Sequence, residues 1–331
     1  MRVSCKVQKS ASVDALRSAS QWLVAASIAA AGFMTVVVRL PVSSDGTDIL
    51  AWIVAATLIV SLLFHRRRPR LADTFGAVSQ VWLGGISSCV VAVAGLRLGM
   101  RTSDASLLAL DRAIGVDGAR VLTWTRHQPD WFVHLLATSY AATVPFAFLS
   151  LILLSLVGDR IEVWRAVLCF VGTVLTTCLI AAIVPALGMS AWISPELLDR
   201  LSTGAPRHFW PRFQHFHRFH DGTAVVLGLG SIGSCVTFPS FHTIMGLIVA
   251  AMWRKRVLVF MPALVWLLLM LFSTMPFGGH YFVDLIGGTA VWAIWFAASQ
   301  RIERRGWTPL ATLPRFRVYR REPSRAGMVG N

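Results

Sequence analysis

Two histidines and an aspartate stand at the two ends of an apolar hairpin in the last third of the chain. His242 follows Pro239-Ser240-Phe241, and His280 precedes Asp284 by four residues. On a helix, this i,i+4 spacing places His280 and Asp284 on one face, where the carboxylate can accept a hydrogen bond from the imidazole. Such a bond fixes the tautomer and leaves the other ring nitrogen free as a nucleophile or base. The residue types therefore predict nucleophilic or acid–base chemistry.

The surroundings of these residues favour a phosphate ligand. We expect His242 to lie at the N-terminus of a helix, where unpaired N–H groups and the helix dipole attract an anion. Ser240 adds a hydroxyl donor, and Gly279 lets the backbone approach a ligand closely. We therefore predict Ser240 and Gly279 as phosphate-binding residues. The alternative is that each histidine has only a structural role. That alternative accounts less well for the occurrence of His242, His280 and Asp284 together.

Composition places this hairpin in a membrane protein. The chain has 331 residues, of which 55% are hydrophobic and 14% charged, and its mean hydropathy is +0.63. Because so few polar residues cannot cover a soluble globule, and because apolar runs of about 20 residues can span a bilayer, we predict an all-α polytopic membrane protein. The five cysteines, an odd number, are typical of packing residues rather than of a disulfide framework.

Apolar runs predict eight transmembrane helices. They cover residues 21–38, 49–64, 77–98, 131–157, 166–187, 240–252, 257–275 and 281–298. Residues 97–130 mix apolar and charged positions, as amphipathic helices at the outer membrane surface do. We expect a six-helix catalytic membrane core over residues 77–299, preceded by residues 1–76 with two added helices and followed by a basic cytoplasmic tail over residues 300–331.

The basic residues determine the expected orientation. With both termini in the cytoplasm, 21 of the 31 lysines and arginines fall on the inner side and 10 on the outer side. The acidic residues divide as 6 and 10, so the whole net charge of +15 lies inside, in agreement with the positive-inside rule. The charge therefore requires no nucleic acid partner. It predicts a multi-pass protein of the cell membrane with His242 and His280 on the extracytoplasmic side.

Two motifs in the hairpin resemble those of a known family. Pro239-Ser240-Phe241-His242 is similar to the Pro-Ser-Gly-His motif of the type 2 phosphatidic acid phosphatase superfamily, which contains lipid phosphatases and phosphotransferases. Ser273, Thr274, His280 and Asp284 keep the spacing of a second family motif, which is Ser-Arg, five residues, His, three residues, Asp. The sequence has threonine in place of the arginine. The resemblance therefore rests on residues 239–284.

The resemblance implies an enzyme that needs no metal or other cofactor. His280 would attack phosphorus and form a phosphohistidine, Asp284 would orient His280, and His242 would protonate the leaving oxygen. The substrate would be a lipid phosphate at the extracytoplasmic face, and water or an acceptor lipid alcohol would resolve the intermediate. The alternative is a non-catalytic membrane lipid carrier or assembly subunit that keeps the fold.

The sequence departs from the family pattern in its positive charge. The family's first motif, a lysine followed after six residues by Arg-Pro, is not evident, and Thr274 replaces a second cation. The sequences Phe-Pro-Ser-Phe-His and His-Tyr-Phe-Val-Asp more closely resemble the inositol-phosphorylceramide synthase and sphingomyelin synthase branch. Members of that branch transfer a phosphodiester head group. Because a phosphodiester carries less charge than a monoester, a site with fewer cations suits it.

A segment rich in histidine and aromatic residues, 207–221, offers replacement cations. It contains four of the nine histidines and three arginines, Arg207, Arg212 and Arg218. Arginine can bind phosphate through two parallel hydrogen bonds, so we predict Arg212 and Arg218 as phosphate-binding residues. The alternative is an interfacial belt against lipid head groups. No acidic or cysteine ligands accompany these histidines in a recognisable zinc spacing, so no metal is predicted.

Overall fold

The computed structural model describes residues 2–43, 47–64, 67–192, 212–224, 226–228 and 236–305. Within these ranges the chain is helical and contains no strand, apart from an isolated bridge between Val42 and Leu227. The prediction of an all-α protein is therefore confirmed. Most of the predicted tail, residues 306–331, lies outside the described residues.

The described part of the chain contains twelve α-helices and one short 3-10 helix. In chain order they are α1 (Arg2–Val37), α2 (Thr47–Phe64), α3 (Pro69–Leu96), α4 (Asp104–Ala113), α5 (Gly118–Arg126), α6 (Asp130–Ala141), α7 (Thr143–Val157), α8 (Arg160–Ile183), the 3-10 helix Met189–Trp192, α9 (Arg212–His220), α10 (Phe241–Trp253), α11 (Val257–Gly278) and α12 (Phe282–Arg305).

Five of the described helices are long and apolar enough to cross a membrane, and the count is six if the bent pair α6–α7 is one span. A multi-pass protein is thus confirmed, but the number eight is not. The other two predicted spans are the shorter apolar helices Ala51–Phe64 and α10. The 13 residues of α10 rise about 20 Å, against a hydrocarbon core of about 30 Å.

The fourth predicted span is broken into two helices. A bend of 54° separates α6 from α7 at Ala142. Pro145 accounts for the bend, because it lacks a backbone N–H and its ring would clash with the carbonyl of Ala141 in a continuous helix. The continuous apolar pattern of residues 131–157 therefore predicts one tilted helix where the structure has a kinked pair.

The centre of the bundle is a close crossing of α3 and α8, against which α1 and α12 also pack. Small residues allow this approach, as they do at many membrane helix interfaces. A Cβ added to Gly95 of α3 would lie 2.3 Å from the Cβ of Ala182 on α8 and 2.7 Å from its Cα. The two backbones are therefore nearly in contact.

Ion pairs to two buried carboxylates join the helices at one end of the bundle. Asp73 pairs with Arg17 and Arg160, and it also accepts a hydrogen bond from the indole N–H of Trp164. Close by, Glu162 pairs with three cations, namely Arg165, Arg254 and Lys255. The positive-inside distribution predicts that this is the cytoplasmic end, which we call the ion-pair end.

Two short helices cover the opposite end, where α8 and α11 finish and α12 begins. Apolar residues of α4 and α5 pack against Met189, Met275 and Tyr281. The sequence predicts helices in this region, and the structure contains them. Ser103 stands at the N-cap of α4 without a side-chain capping bond, and the carboxylate of Asp104 is directed to other partners.

The crossing of α3 and α8 can be tested by enlarging Gly95. Gly95→Ala forces backbones apart, and overpacking of this kind costs roughly 1–3 kcal/mol, so we expect a lower melting temperature in detergent. Gly85→Ala is the matched control, because its added Cβ would meet only Phe170, at an ordinary 3.6 Å. Equal melting temperatures for the two variants would contradict the close crossing.

Candidate active site

A left-handed glycine turns the chain from α11 into the candidate site. Gly279 has φ +67°, and its N–H is donated to the carbonyls of Met275 and Thr274. Glycine adopts this conformation without strain. The carbonyl of Gly279 accepts from the N–H of Met189 at 2.8 Å, and a Cβ on Gly188 would lie 2.2 Å from the same oxygen. This packing fixes the backbone position of Gly279 and therefore of His280, the next residue.

His280 and Asp284 form a buried pair at the start of α12. The Nδ1 of His280 lies 3.1 Å from Oδ2 of Asp284, and the two side chains are 4% and 0% exposed. The N–H of Tyr281 donates to the same carboxylate oxygen at 2.9 Å. With Asp284 ionised, the proton of His280 resides on Nδ1, and Nε2 is the nitrogen that can react.

His242 lies in the first turn of α10, directly beside this pair. The ring centroids of His242 and His280 are 6.3 Å apart, with the ring planes at 63°. Ser240 is the N-cap of α10, and its backbone N–H donates to the carbonyl of Asp284 at 2.9 Å. A Cβ on Gly288 of α12 would lie 2.4 Å from the carbonyl oxygen of Ser240. The N-termini of α10 and α12 therefore meet at the two histidines.

Tyr140, on the last turn of α6, contacts His242. Its ring stacks on the imidazole with centroids 4.2 Å apart and planes at 17°, and its hydroxyl lies 3.3 Å from Nδ1 of His242. A Cβ on Gly278 would lie 2.8 Å from Cδ2 of His280 and 2.9 Å from the hydroxyl of Tyr140. Tyr140 is not among the site residues predicted from the sequence. The only feature that distinguishes it in the sequence is a hydroxyl group within an apolar run.

Three more candidate residues from the sequence lie in the same region with their polar groups engaged. The hydroxyl of Ser240 is buried and accepts from the N–H and the hydroxyl of Thr243. The N–H and the carbonyl of Gly279 are both bonded within the fold, as described above. Thr274 is buried and donates its hydroxyl to the carbonyl of Met270 at 2.7 Å. The roles of Ser240 and Gly279 toward a phosphate stay predictions.

The two predicted arginines lie on a separate helix. Phe216 and Phe219 pack α9 onto the end of α3, and the side chain of Arg218 is exposed to the surroundings. Among the described residues, no hydrogen bond or ion pair joins Arg218 to either catalytic candidate histidine. Arg212 begins α9, but its side chain lies outside the described part, as does Arg207.

Tyr281, between the histidine and α12, is held by three neighbours. Its hydroxyl donates to Asp104 at 3.1 Å and lies 3.0 Å from the carbonyl oxygen of Gly188, and it accepts from the indole N–H of Trp192 at 2.8 Å. Burial, followed by the charge of Asp104, raises the pKa of the Tyr281 hydroxyl. Tyr281 therefore stays a hydrogen-bond donor, and sequence reasoning had not assigned it this role.

The arrangement suits nucleophilic attack followed by proton transfer. Reacting atoms in a productive complex approach to about 3–3.5 Å, so rings at this separation can act on one group placed between them. His280, oriented by a carboxylate, resembles an activated nucleophile, and His242 is available as an acid. In the described part of the chain, no three histidine, cysteine or acidic side chains are grouped so that they could hold a metal ion.

Comparison with known families gives one match. Residues 105–298, more than half of the chain, match a family model described as the PAP2 superfamily. The matched region extends from α4 into α12 and includes both histidines. Comparison with curated proteins and with solved structures gives no match.

The contact between Tyr140 and His242 predicts a dependence on the leaving group. Tyr140→Phe keeps the ring stacking but loses one hydrogen bond of about 1 kcal/mol, which should lower kcat roughly fivefold for an alkyl phosphate ester. A nitrophenyl ester needs little protonation of its leaving group and should be cleaved at nearly the wild-type rate. His242→Asn is the reference variant for complete loss of the acid.

The two esters must be compared in the same detergent preparation, so that folding affects both equally. If Tyr140→Phe lowers both rates by the same factor, Tyr140 does not act through the acid. If it lowers neither, the hydroxyl has no part in the reaction.

Proposed function

The chain belongs to the PAP2 superfamily, and on this basis we propose that it is a membrane phosphoesterase acting on a lipid phosphate at the extracytoplasmic face through a phosphohistidine. Phosphatase-type enzymes characterise the superfamily. The observation that carries the proposal is the buried pair of His280 and Asp284, with His242 at 6.3 Å between ring centroids.

The first step is an in-line attack of His280 Nε2 on phosphorus. The new N–P bond forms as the P–O bond to the lipid alcohol breaks, and His242 donates a proton to the departing oxygen. Asp284 accepts the Nδ1 hydrogen bond of His280 and stabilises the positive charge that develops on the ring.

The second step regenerates the enzyme. His242, now neutral, takes a proton from water or from an acceptor alcohol, whose oxygen attacks phosphorus. The N–P bond breaks, and His280 returns to its starting form. The proposed steps need no metal, because His280 supplies the nucleophile and His242 carries out the proton transfers.

Helix electrostatics supports a phosphoryl substrate. The N-termini of α10 and α12 meet at the histidines, and each carries partial positive charge from its helix dipole. This partial positive charge favours an anionic phosphoryl group at this position.

The charge distribution supports an extracytoplasmic site. Asp73, Glu162 and their basic partners occupy the ion-pair end of the helices, and the histidines occupy the other end. Since basic residues concentrate on the cytoplasmic side of membrane proteins, the histidines are assigned to the outer side, and both termini to the inner side.

Within this function, we favour head-group transfer as in the inositol-phosphorylceramide and sphingomyelin synthase branch. Three buried carboxylates, Asp104, Asp111 and Asp284, lie around His280, and none of them pairs with a lysine or arginine within the described ranges. A dianionic monoester would be repelled more strongly by these charges than a monoanionic phosphodiester. Thr274, in place of an arginine, agrees with the same preference.

Replacement of the nucleophile tests the catalytic step. We expect His280→Ala in proteoliposomes to reduce release or transfer of phosphate to the background rate, and wild-type protein quenched with labelled lipid phosphate to carry acid-labile label. His127→Ala is the control, because that histidine bonds to the carbonyl of Thr123 at the end of α5, outside the site. Wild-type activity in His280→Ala would eliminate this mechanism. Protein that carries no label with any lipid phosphate would favour a non-catalytic carrier or subunit.

Supply of an acceptor tests transfer against hydrolysis. We expect wild-type protein given phosphodiester lipids to form a new product, the head group joined to the alcohol, when ceramide or diacylglycerol is added. Mass spectrometry of the lipids identifies both product and donor. If free head-group phosphate is released at the same rate with and without acceptor, and no joined product appears, the protein is a hydrolase.

A further inference from the structure

The short helix α4 directs two carboxylates toward the catalytic segment, residues 279–284. Asp104 and Asp111 are seven residues apart, about two helical turns, so they share one face. They are 3% and 1% exposed. In the sequence they resemble ordinary charges of a surface helix, yet both lie inside the fold.

Asp111 caps α12 from another helix. Its Oδ2 accepts from the N–H of Phe282 at 2.8 Å, and its Oδ1 accepts from the N–H of Val283 at 2.9 Å. The first N–H groups of a helix have no partner within that helix and must find one elsewhere. Since the N–H of Tyr281 donates to Asp284, carboxylates satisfy three consecutive N–H groups at this helix start.

Asp104 holds the other side of the same segment. It accepts from the backbone N–H groups of Leu187 and Gly188 and from the hydroxyl of Tyr281. Burial raises the pKa of Asp104, and these three donors oppose that effect. The side chains of α4 therefore bond directly to residues 281–283, after His280, and Asp104 also bonds to Gly188, which packs on Gly279 before it.

The contacts of Asp111 bear directly on the catalytic pair. Asp284 follows Val283, so the direction in which its carboxylate points depends on the first turn of α12. If that turn frays, the 3.1 Å contact between Asp284 and His280 loosens, and the ring orientation is no longer fixed. A misplacement of about 1 Å can reduce a rate about 100-fold.

We propose that Asp111 is a positioning residue for phosphoryl transfer, which holds the first turn of α12 so that Asp284 keeps His280 in its reactive orientation. The proposal rests on the proposed function of His280. Asp111 touches neither the substrate nor the reacting atoms, so its effect passes through Asp284.

The test compares Asp111→Ala and Asp111→Asn with Asp117→Ala. Asp117 is a fitting control, because its carboxylate also accepts two backbone N–H groups, those of Ala119 and Arg120, but at the start of α5. We expect Asp111→Ala to lower kcat about 10- to 100-fold, with KM changed less than about threefold. Asp111→Asn should recover part of the loss, since its one amide oxygen can still accept one of the two N–H groups.

Amide hydrogen exchange gives a readout that does not depend on turnover. In Asp111→Ala, peptides that contain Phe282 and Val283 should exchange faster, while peptides from α8 exchange as in the wild type. In Asp117→Ala, kcat and the exchange of α12 should both be unchanged.

The outcomes separate the two proposals. If Asp111→Ala is folded and keeps the wild-type kcat, the positioning role is overturned and the proposed function stands. If Asp111→Ala and Asp117→Ala lose activity only in proportion to lost folded protein, Asp111 is merely structural and the positioning role is again overturned. If the wild-type protein turns over no lipid phosphate and carries no label on His280, both proposals fail together.

Discussion

The burial of the Asp284 carboxylate is the constraint on which the site depends. A carboxylate removed from water is costly unless hydrogen bonds and opposite charge compensate it. Asp284 is fully buried, and its Oδ2 accepts from His280 and from the N–H of Tyr281, while no described residue bonds to its Oδ1. The positive end of α12 supplies further compensation. Because the buried carboxylate accepts from Nδ1 of His280, it holds the imidazole in an orientation that leaves Nε2 to react.

The buried carboxylates have different kinds of partner at the two ends of the bundle. At the ion-pair end, Asp73 and Glu162 are matched by arginines and lysine. At the end where His242 and His280 lie, Asp104 and Asp111 accept from backbone N–H groups and a tyrosine hydroxyl. Ion pairs hold helices together, whereas N–H groups fix backbone position. Within the described ranges, these N–H groups rather than cations therefore hold the segment around His280.

Close helix contacts connect this site to the membrane bundle. The crossing of α3 and α8 at Gly95 sets the position of the segment after α8, whose Gly188 meets Gly279. The bend before Pro145 ends α6 beside the site, where Tyr140 stacks on His242. The glycine contacts and the kink thus position the segment after α8 and Tyr140 beside the two histidines.

The sequence by itself determined the features that depend on near neighbours in the chain. Apolar runs predict the helices, and the motifs predict the family. The four-residue separation predicts the contact between His280 and Asp284, although His280 precedes α12 instead of lying on it. Apolar length predicted eight spans, a number that the structure does not confirm, because the apolar helices Ala51–Phe64 and α10 are short.

Only the tertiary structure decided which distant residues support the pair. Tyr140 and His242 are 102 positions apart, and Asp111 and Phe282 are 171 apart. Helical periodicity relates residues three or four positions apart, so it carries no information about such contacts. Packing of whole helices brings them together, and for that reason a surface-like aspartate and an apolar-run tyrosine became part of the site.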